Sequence, residues 1–206
     1  MRHRYNRFFL RKCRWWLAGA MLLMVGNAVA QPAVTDADAL QYRVEMVVFT
    51  QPSLGNGAEE FPFERTDSLA RPMAWPLRES DRPGLGYQRL DDDSYLLTRA
   101  ARRLDAQPEF TVHWHAAWIQ PGAGRFQAQA VALPRSLRDA GLAGWVRVYR
   151  ERFLHAETDI RFEESGELVA QMSDSRRMRS DEQHYLDNPR IGVLVRVDRW
   201  EEDQRP

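Results

Sequence analysis

"GWVRVYRERFLHAETDIRFEESGELVAQMSDSRRMR", Gly144 to Arg179, is the stretch that decides the fold class. The segment to Glu163 is rich in β-branched and aromatic residues and is predicted as one long strand. Glu164-Ser165-Gly166 carries the small and polar residues of a hairpin turn, so Glu167 to Arg179 is predicted as the returning partner. A long antiparallel hairpin is therefore the framework, and the flanking segments must cover it.

Downstream, Asn188-Pro189 turns the chain into "IGVLVRVDRW", a last strand with Ile191, Val193, Val195 and Val197 on its buried face. Upstream, "FTVHWHAAWIQ" reads as a strand with Val112, Trp114, Ala116 and Trp118 on one face and Thr111, His113, His115 and Ala117 on the other. "YRVEMVVFT", Tyr42 to Thr50, carries an unbroken VVF run that suggests a central, mostly buried strand. The one strong helical pattern is "DDDSYLLTRAARRLDAQPEF". Leu96, Leu97, Ala100, Ala101 and Leu104 recur on one face, Asp93 or Ser94 is placed to cap, and Pro108 marks the end. A shorter helix is expected around Ser136 to Ala140. Gln51 to Asp92 holds five prolines and four glycines and reads as an extended arm with one helical turn near Thr66 to Ala70. The expected architecture is α+β: a mainly antiparallel sheet of about five strands with one principal helix and a long Pro/Gly-rich arm.

The N-terminus reads as an export address. Six basic residues between Arg2 and Arg14 precede an apolar run from Trp15 to Gly26, and Ala28-Val29-Ala30 supplies a cleavage pattern. The run is short against the ~20 residues that span a bilayer, so residues 1–30 are expected to be a cleaved signal peptide that leaves no membrane anchor. Residues 31–41 follow as a leader, 42–200 as one domain and 201–206 as a disordered tail. Cleavage would remove six of the 29 basic residues and none of the 29 acidic ones, which leaves a net charge of −6. Nucleic acid is a poor partner for such a surface. The single cysteine, Cys13, and the single lysine, Lys12, would leave as well. Every remaining side-chain cation apart from histidine is then an arginine fork, suited to bidentate contact with carboxylates.

Catalytic patterns are scarce. The sequence holds no G-x-S-x-G elbow, no P-loop and no S-x-x-K. Asp91-Asp92-Asp93 could supply a carboxylate pair for sugar hydrolysis, but acids just before a helix are commonly capping residues. His113 with His115, and Glu182 with His184, have spacings that zinc could use if the fold brought them together. No cofactor and no enzymatic activity are expected.

"SRRMRSDEQHYLDNPRIGVLVRV", Ser175 to Val197, resembles the signature of the exported CsiV-type peptidoglycan-binding proteins of Gram-negative bacteria. "YRVEMVVF", "HAAWIQP" and "GWVRVYRERFLHAETDI" fall in the order of that family, so the resemblance runs from about Tyr42 to Val197. Two departures are Asn188 in place of a histidine and Gln183 in place of an apolar residue. The resemblance implies a periplasmic, non-catalytic protein that binds peptidoglycan and supports cell-wall assembly. It also implies a partner, an outer-membrane lipoprotein that activates a bifunctional peptidoglycan synthase.

The candidate ligand residues lie in that block: Arg176, Arg177, Arg179, Glu182, His184 and Tyr185. Peptidoglycan stem peptides carry free carboxylates, and strand geometry would put Arg177 and Arg179 on one side as two forks. Tyr185 could stack on a sugar, with Glu182 and His184 hydrogen bonding to amides or hydroxyls. The competing arrangement is an internal polar staple in which these arginines pair with Glu151, Glu157 and Asp159. Two other functional classes stay open. One is a protein-interaction subunit of a cell-wall complex that does not touch glycan. The other is an exported zinc hydrolase using His113, His115 and His184.

Overall fold

The computed structural model describes residues 40–52, 72–79, 84 and 86–201. Its architecture follows from the strand β1 (Gln41–Thr50). Val44, Met46 and Val48 point to one side and Val47 and Phe49 to the other, and none is more than 2% exposed. A strand apolar on both faces needs a covering layer on each. Accordingly β1 lies inside its sheet, paired antiparallel with β3 (Thr111–Pro121) and β9 (Ile191–Trp200). The sheet order is β3-β1-β9-β8, with β8 (Gln183–Asp187) at the edge.

A second sheet covers one side. It runs β2-β4-β5-β6-β7, from β2 (Ala74–Trp75) and β4 (Ala130–Ala132) to β5 (Leu142–Arg150), β6 (Leu154–Glu164) and β7 (Glu167–Met178). Among these strands only β2 and β4 pair in parallel. The core between the sheets joins Val44, Met46, Trp118, Val193 and Val195 of the first to Leu142, Val146, Ile160 and Met172 of the second. A helix, α1 (Thr98–Asp105), covers the other side of the first sheet. There Leu97 and Ala101 pack on Val47, Phe49 and Leu194, with Leu104, Phe110 and Val112 at the margin.

The α+β reading and its antiparallel character hold in broad terms, but four details change. First, the expected single sheet of about five strands is a sandwich of two. Second, the stretch from Gly144 to Glu163 is not one strand: the chain reverses at Glu151–Phe153, and β5 pairs with β6 from Arg150↔Leu154 to Leu142↔Phe162. Third, a register irregularity between Val48 and Phe49 pairs Phe49 with Val112, so Val112 leaves the face of Trp114 and Trp118 and joins the outer cluster. Fourth, Asp92–Ser94 is a separate 3-10 turn, and α1 begins without a side-chain cap from Asp93 or Ser94. The Ser165-Gly166 turn stands as read, with both residues at positive φ, 54° and 83°. The Ser136 to Ala140 helix is a 3-10 segment, Arg135–Ala140. Of the proline-rich arm, the described part supplies β2 and a hydrogen bond from the Leu90 N–H to the Ala117 carbonyl. The helical turn expected near Thr66 to Ala70, the export segment at 1–30, most of the leader at 31–41 and the tail at 202–206 lie outside the described residues.

The missing helix cap is supplied from the sheet. Glu45, in the middle of β1, is fully buried. Its carboxylate accepts the Leu96 and Leu97 N–H groups at 2.7 Å each and lies 2.7 Å from His115 Nε2. Those amides are donors that the helix cannot satisfy itself, at the positive end of its dipole. One buried side chain thus docks α1 on β1. Glu45→Ala is expected to cost about 3 kcal/mol, because the buried donors lose a charged acceptor. Urea denaturation would read the cost, and amide exchange at Leu96 and Leu97 should accelerate more than at Val195 in the sheet core.

Candidate functional site

The Ser175 to Arg190 block divides into two parts with different partners. Its second half is a staple. Tyr185 stacks on Phe49, ring centroids 6.0 Å apart and 11° between planes. Phe49 can lie there because the residue across from it is Gly192, where a Cβ would come 2.2 Å from the ring. The Tyr185 hydroxyl donates to the Asp187 carboxylate at 2.6 Å. Burial, and then the Asp187 charge, push its phenol well above the usual tyrosine range. Gln51 Nε2 donates to Asp187 at 3.2 Å and to the Asn188 carbonyl at 2.8 Å, while Asn188 Nδ2 donates to the Gln171 carbonyl at 3.2 Å. This chain of polar contacts ties the two sheets together beside buried Leu186.

The turn between β7 and β8 is held as firmly. His184 Nε2 lies 3.1 Å from the Arg179 N–H and 3.3 Å from its carbonyl. Asp181, at φ 65°, donates its N–H to the Val197 carbonyl at 2.9 Å. The neighbouring Asp198 carboxyl raises that of Asp181 above the usual aspartate range. Burial pushes Asp198 up, but Arg196 and Arg43 outweigh burial and keep it below the usual aspartate range. Asp198 lies 2.8 Å from Arg196 and 3.3 Å from Arg43.

The first half of the block is different. Arg176 and Arg177 are exposed, and among the described residues neither meets a carboxylate. Arg177 lies over the Phe153 ring, 4.7 Å from its centroid, a cation–π contact that leaves its N–H fork available. Beside it, His155 stacks on Tyr149 at 5.0 Å. Two of the three acids expected to neutralise these arginines, Glu157 and Asp159, have other partners. Glu157, 1% exposed, receives Arg147 Nη2 at 2.5 Å and Arg125 Nη2 at 2.6 Å. Asp159 receives Gln171 Nε2 at 3.1 Å. Arg179 meets only the exposed Glu182, 3.6 Å away. Strand β7 ends at Met178, so Arg179 sits in the turn and not in line with Arg177. Met178 is a core residue.

The six candidate residues therefore do not form one cluster. Arg176, Arg177, Arg179 and Glu182 lie at the end of β7. His184 is an internal cap. Tyr185 faces outward from the first sheet, whereas Arg177 faces outward from the second. The zinc arrangement does not assemble: His113 lies 2.8 Å from Thr50 Oγ1, His115 bonds Glu45, and His184 bonds Arg179. Among the described residues no three metal-ligating side chains converge. Sequence reasoning missed Phe153 beneath Arg177, although an aromatic inside the charged run "RERF" was a signal. It also missed Arg125, which precedes Phe126, an aromatic 91% exposed on its turn.

With this geometry in place, comparison with known proteins is informative. A family model described as "Peptidoglycan-binding protein, CsiV" matches residues 16–200. The chain belongs to this family. No curated protein and no solved structure matches it. No helix among the described residues is long and apolar enough to cross a membrane.

The Glu157 pair has a pH signature. Burial raises its carboxyl, but the hydrogen bonds from Arg125 and Arg147 win and hold it below the ordinary range. A lowered folded value stabilises above the unfolded value and is lost as pH falls. Wild type should therefore lose stability from this group as pH drops below ~4.3. Glu157→Gln should be less stable by about 2 kcal/mol at pH 7 and show a shallower decline below that point in urea melts from pH 7 to 3.

Proposed function

We propose that this chain is a non-enzymatic periplasmic factor that binds peptidoglycan. It supports cell-wall assembly as an accessory to a lipoprotein-activated peptidoglycan synthase. The observation that carries the reading is the family match along residues 16–200. The export pattern at the N-terminus is consistent with a location in the cell envelope.

The end of β7 is the part of the surface that fits the ligand. Stem peptides present carboxylates, and Arg176 and Arg177 are exposed forks that meet no acid among the described residues. Arg179 and Glu182 extend the same patch across the turn. His184 and Tyr185 serve by position: the first fixes the Arg179 backbone, and the second pins β8 to the first sheet. A chain that is net acidic once its leader is removed, yet keeps these cations free, is better suited to local recognition of carboxylates than to general polyanion binding.

A second reading, docking on a protein of the cell-wall machinery, draws support from Phe126, an exposed aromatic of the kind that anchors interfaces. Co-sedimentation with purified, protein-free sacculi separates the two. Wild type should pellet, less so as salt rises. Arg176→Ala/Arg177→Ala should pellet about tenfold more weakly, the loss of one to two charge-assisted bonds. It should melt within about 0.5 kcal/mol of wild type, because both side chains are exposed. Sacculi that fail to pellet wild type would overturn glycan binding and leave the docking reading in front.

A further inference from the structure

The backbone of β7 offers a recognition element that its side chains alone do not reveal. β7 is an edge strand of the second sheet. In an antiparallel pair, alternate residues aim both N–H and C=O at the partner, and the residues between them aim both outward. Three contacts fix which set faces out. The Gln171 carbonyl accepts Asn188 Nδ2, the Ser175 N–H donates to the Asp174 carboxylate at 2.7 Å, and Arg179 meets His184 through its own backbone. All three are odd-numbered, and the register from Ala170 to Met178 has no break. Ser173, Ser175 and Arg177 therefore turn their backbone groups to the edge. The Ser175 N–H is already taken by the Asp174 carboxylate, so among the described residues the N–H groups open to a ligand are those of Ser173 and Arg177.

We infer that this edge takes the peptide part of the ligand as an added strand. The inference rests on the peptidoglycan reading and specifies which part of the polymer is held, and how. Three features favour a short acidic peptide. The open edge is bounded, by the Gln171–Asn188 contact at one end and the Arg179–His184 contact at the other. Ser173 to Arg177 spans only about 13 Å at ~3.3 Å per residue, the reach of a stem peptide and not of a long protein strand. Arg176 flanks the edge on one face of the sheet and Arg177 on the other. A strand laid along the edge that carries carboxylates on both faces meets a fork on each side. Backbone bonds supply affinity that tolerates side-chain variation, and the arginines supply the preference for acid.

The test uses intact sacculi, glycan strands stripped of peptide by an amidase, and the released stem peptide. Wild type should pellet with sacculi, and an excess of soluble stripped glycan should not compete it off. Free stem peptide should slow amide exchange at Ser173 and Arg177 while leaving Met172 and Asp174, already paired to β6, unchanged. Ser173→Pro removes one outward N–H without touching the β6 ladder, a substitution edge strands tolerate, and should weaken sacculus binding about tenfold. If that variant fails to fold, the exchange experiment on wild type decides alone. Displacement by stripped glycan, or no protection at Ser173 and Arg177, would overturn strand addition while leaving peptidoglycan binding intact. Failure of wild type to bind sacculi at all would overturn both. Protection of the same amides by an acidic protein segment, and not by stem peptide, would overturn the assignment of the occupant.

Discussion

The requirement to cover both faces of β1 organises this molecule. One face is buried by a second sheet and the other by a helix, and the two coverings are held by different physics. Between the sheets the contact is apolar, with Trp118, Met46, Leu142, Ile160 and Met172 among the largest fully buried side chains. Beneath the helix, a small apolar cluster is reinforced by one ionisable group, Glu45. A carboxylate there is tolerated only because three donors meet it. The same group therefore both stabilises the helix and dictates where it sits.

Among the described residues no helix covers the outer face of the second sheet, and its side chains differ in kind. Aromatics, arginines and acids alternate along β5 and β6, and Glu157 and Asp159 are drawn into tight local pairs. Arg125 and Arg147 are committed to Glu157, and among the described residues neither Arg176 nor Arg177 pairs with an acid. Charges pair internally in the middle of the sheet and stay open at its end. The polar staple from Gln51 to Asn188 and the open arginines are thus complementary halves of one segment, the first fixing the position of the second.

Much of the fold was legible in the sequence. The alternation in β9, the VVF run of β1 and the Ser-Gly turn each carry a local signal that tertiary context did not override. The β5–β6 reversal was not legible, because Glu151, Arg152 and Phe153 include no glycine, proline or asparagine to announce a turn. The two-sheet arrangement depends on that reversal and was lost with it. Glu45 was visible as one acid within an apolar strand, yet its partners lie about fifty to seventy residues away and only the fold brings them close. At the candidate site the charge density was readable. Which charges cancel was not, since that depends on distances across strands.

The topology also has a temporal side. β5, β6 and β7 follow one another through reversals at Glu151–Phe153 and Ser165–Gly166, so their pairing closes only short loops. The strand β1, by contrast, pairs with β3 and with β9, and β9 is the last strand of the chain. Contacts between distant segments form late because loop closure must precede the gain from pairing. The strand apolar on both faces is thus the first of the described strands in the chain and finds its second neighbour in the last. Until β9 pairs, one edge of the apolar strand from Val44 to Phe49 stays open to other chains. Substitutions that slow the closing of β9 should reduce yield before they reduce the stability of the finished protein.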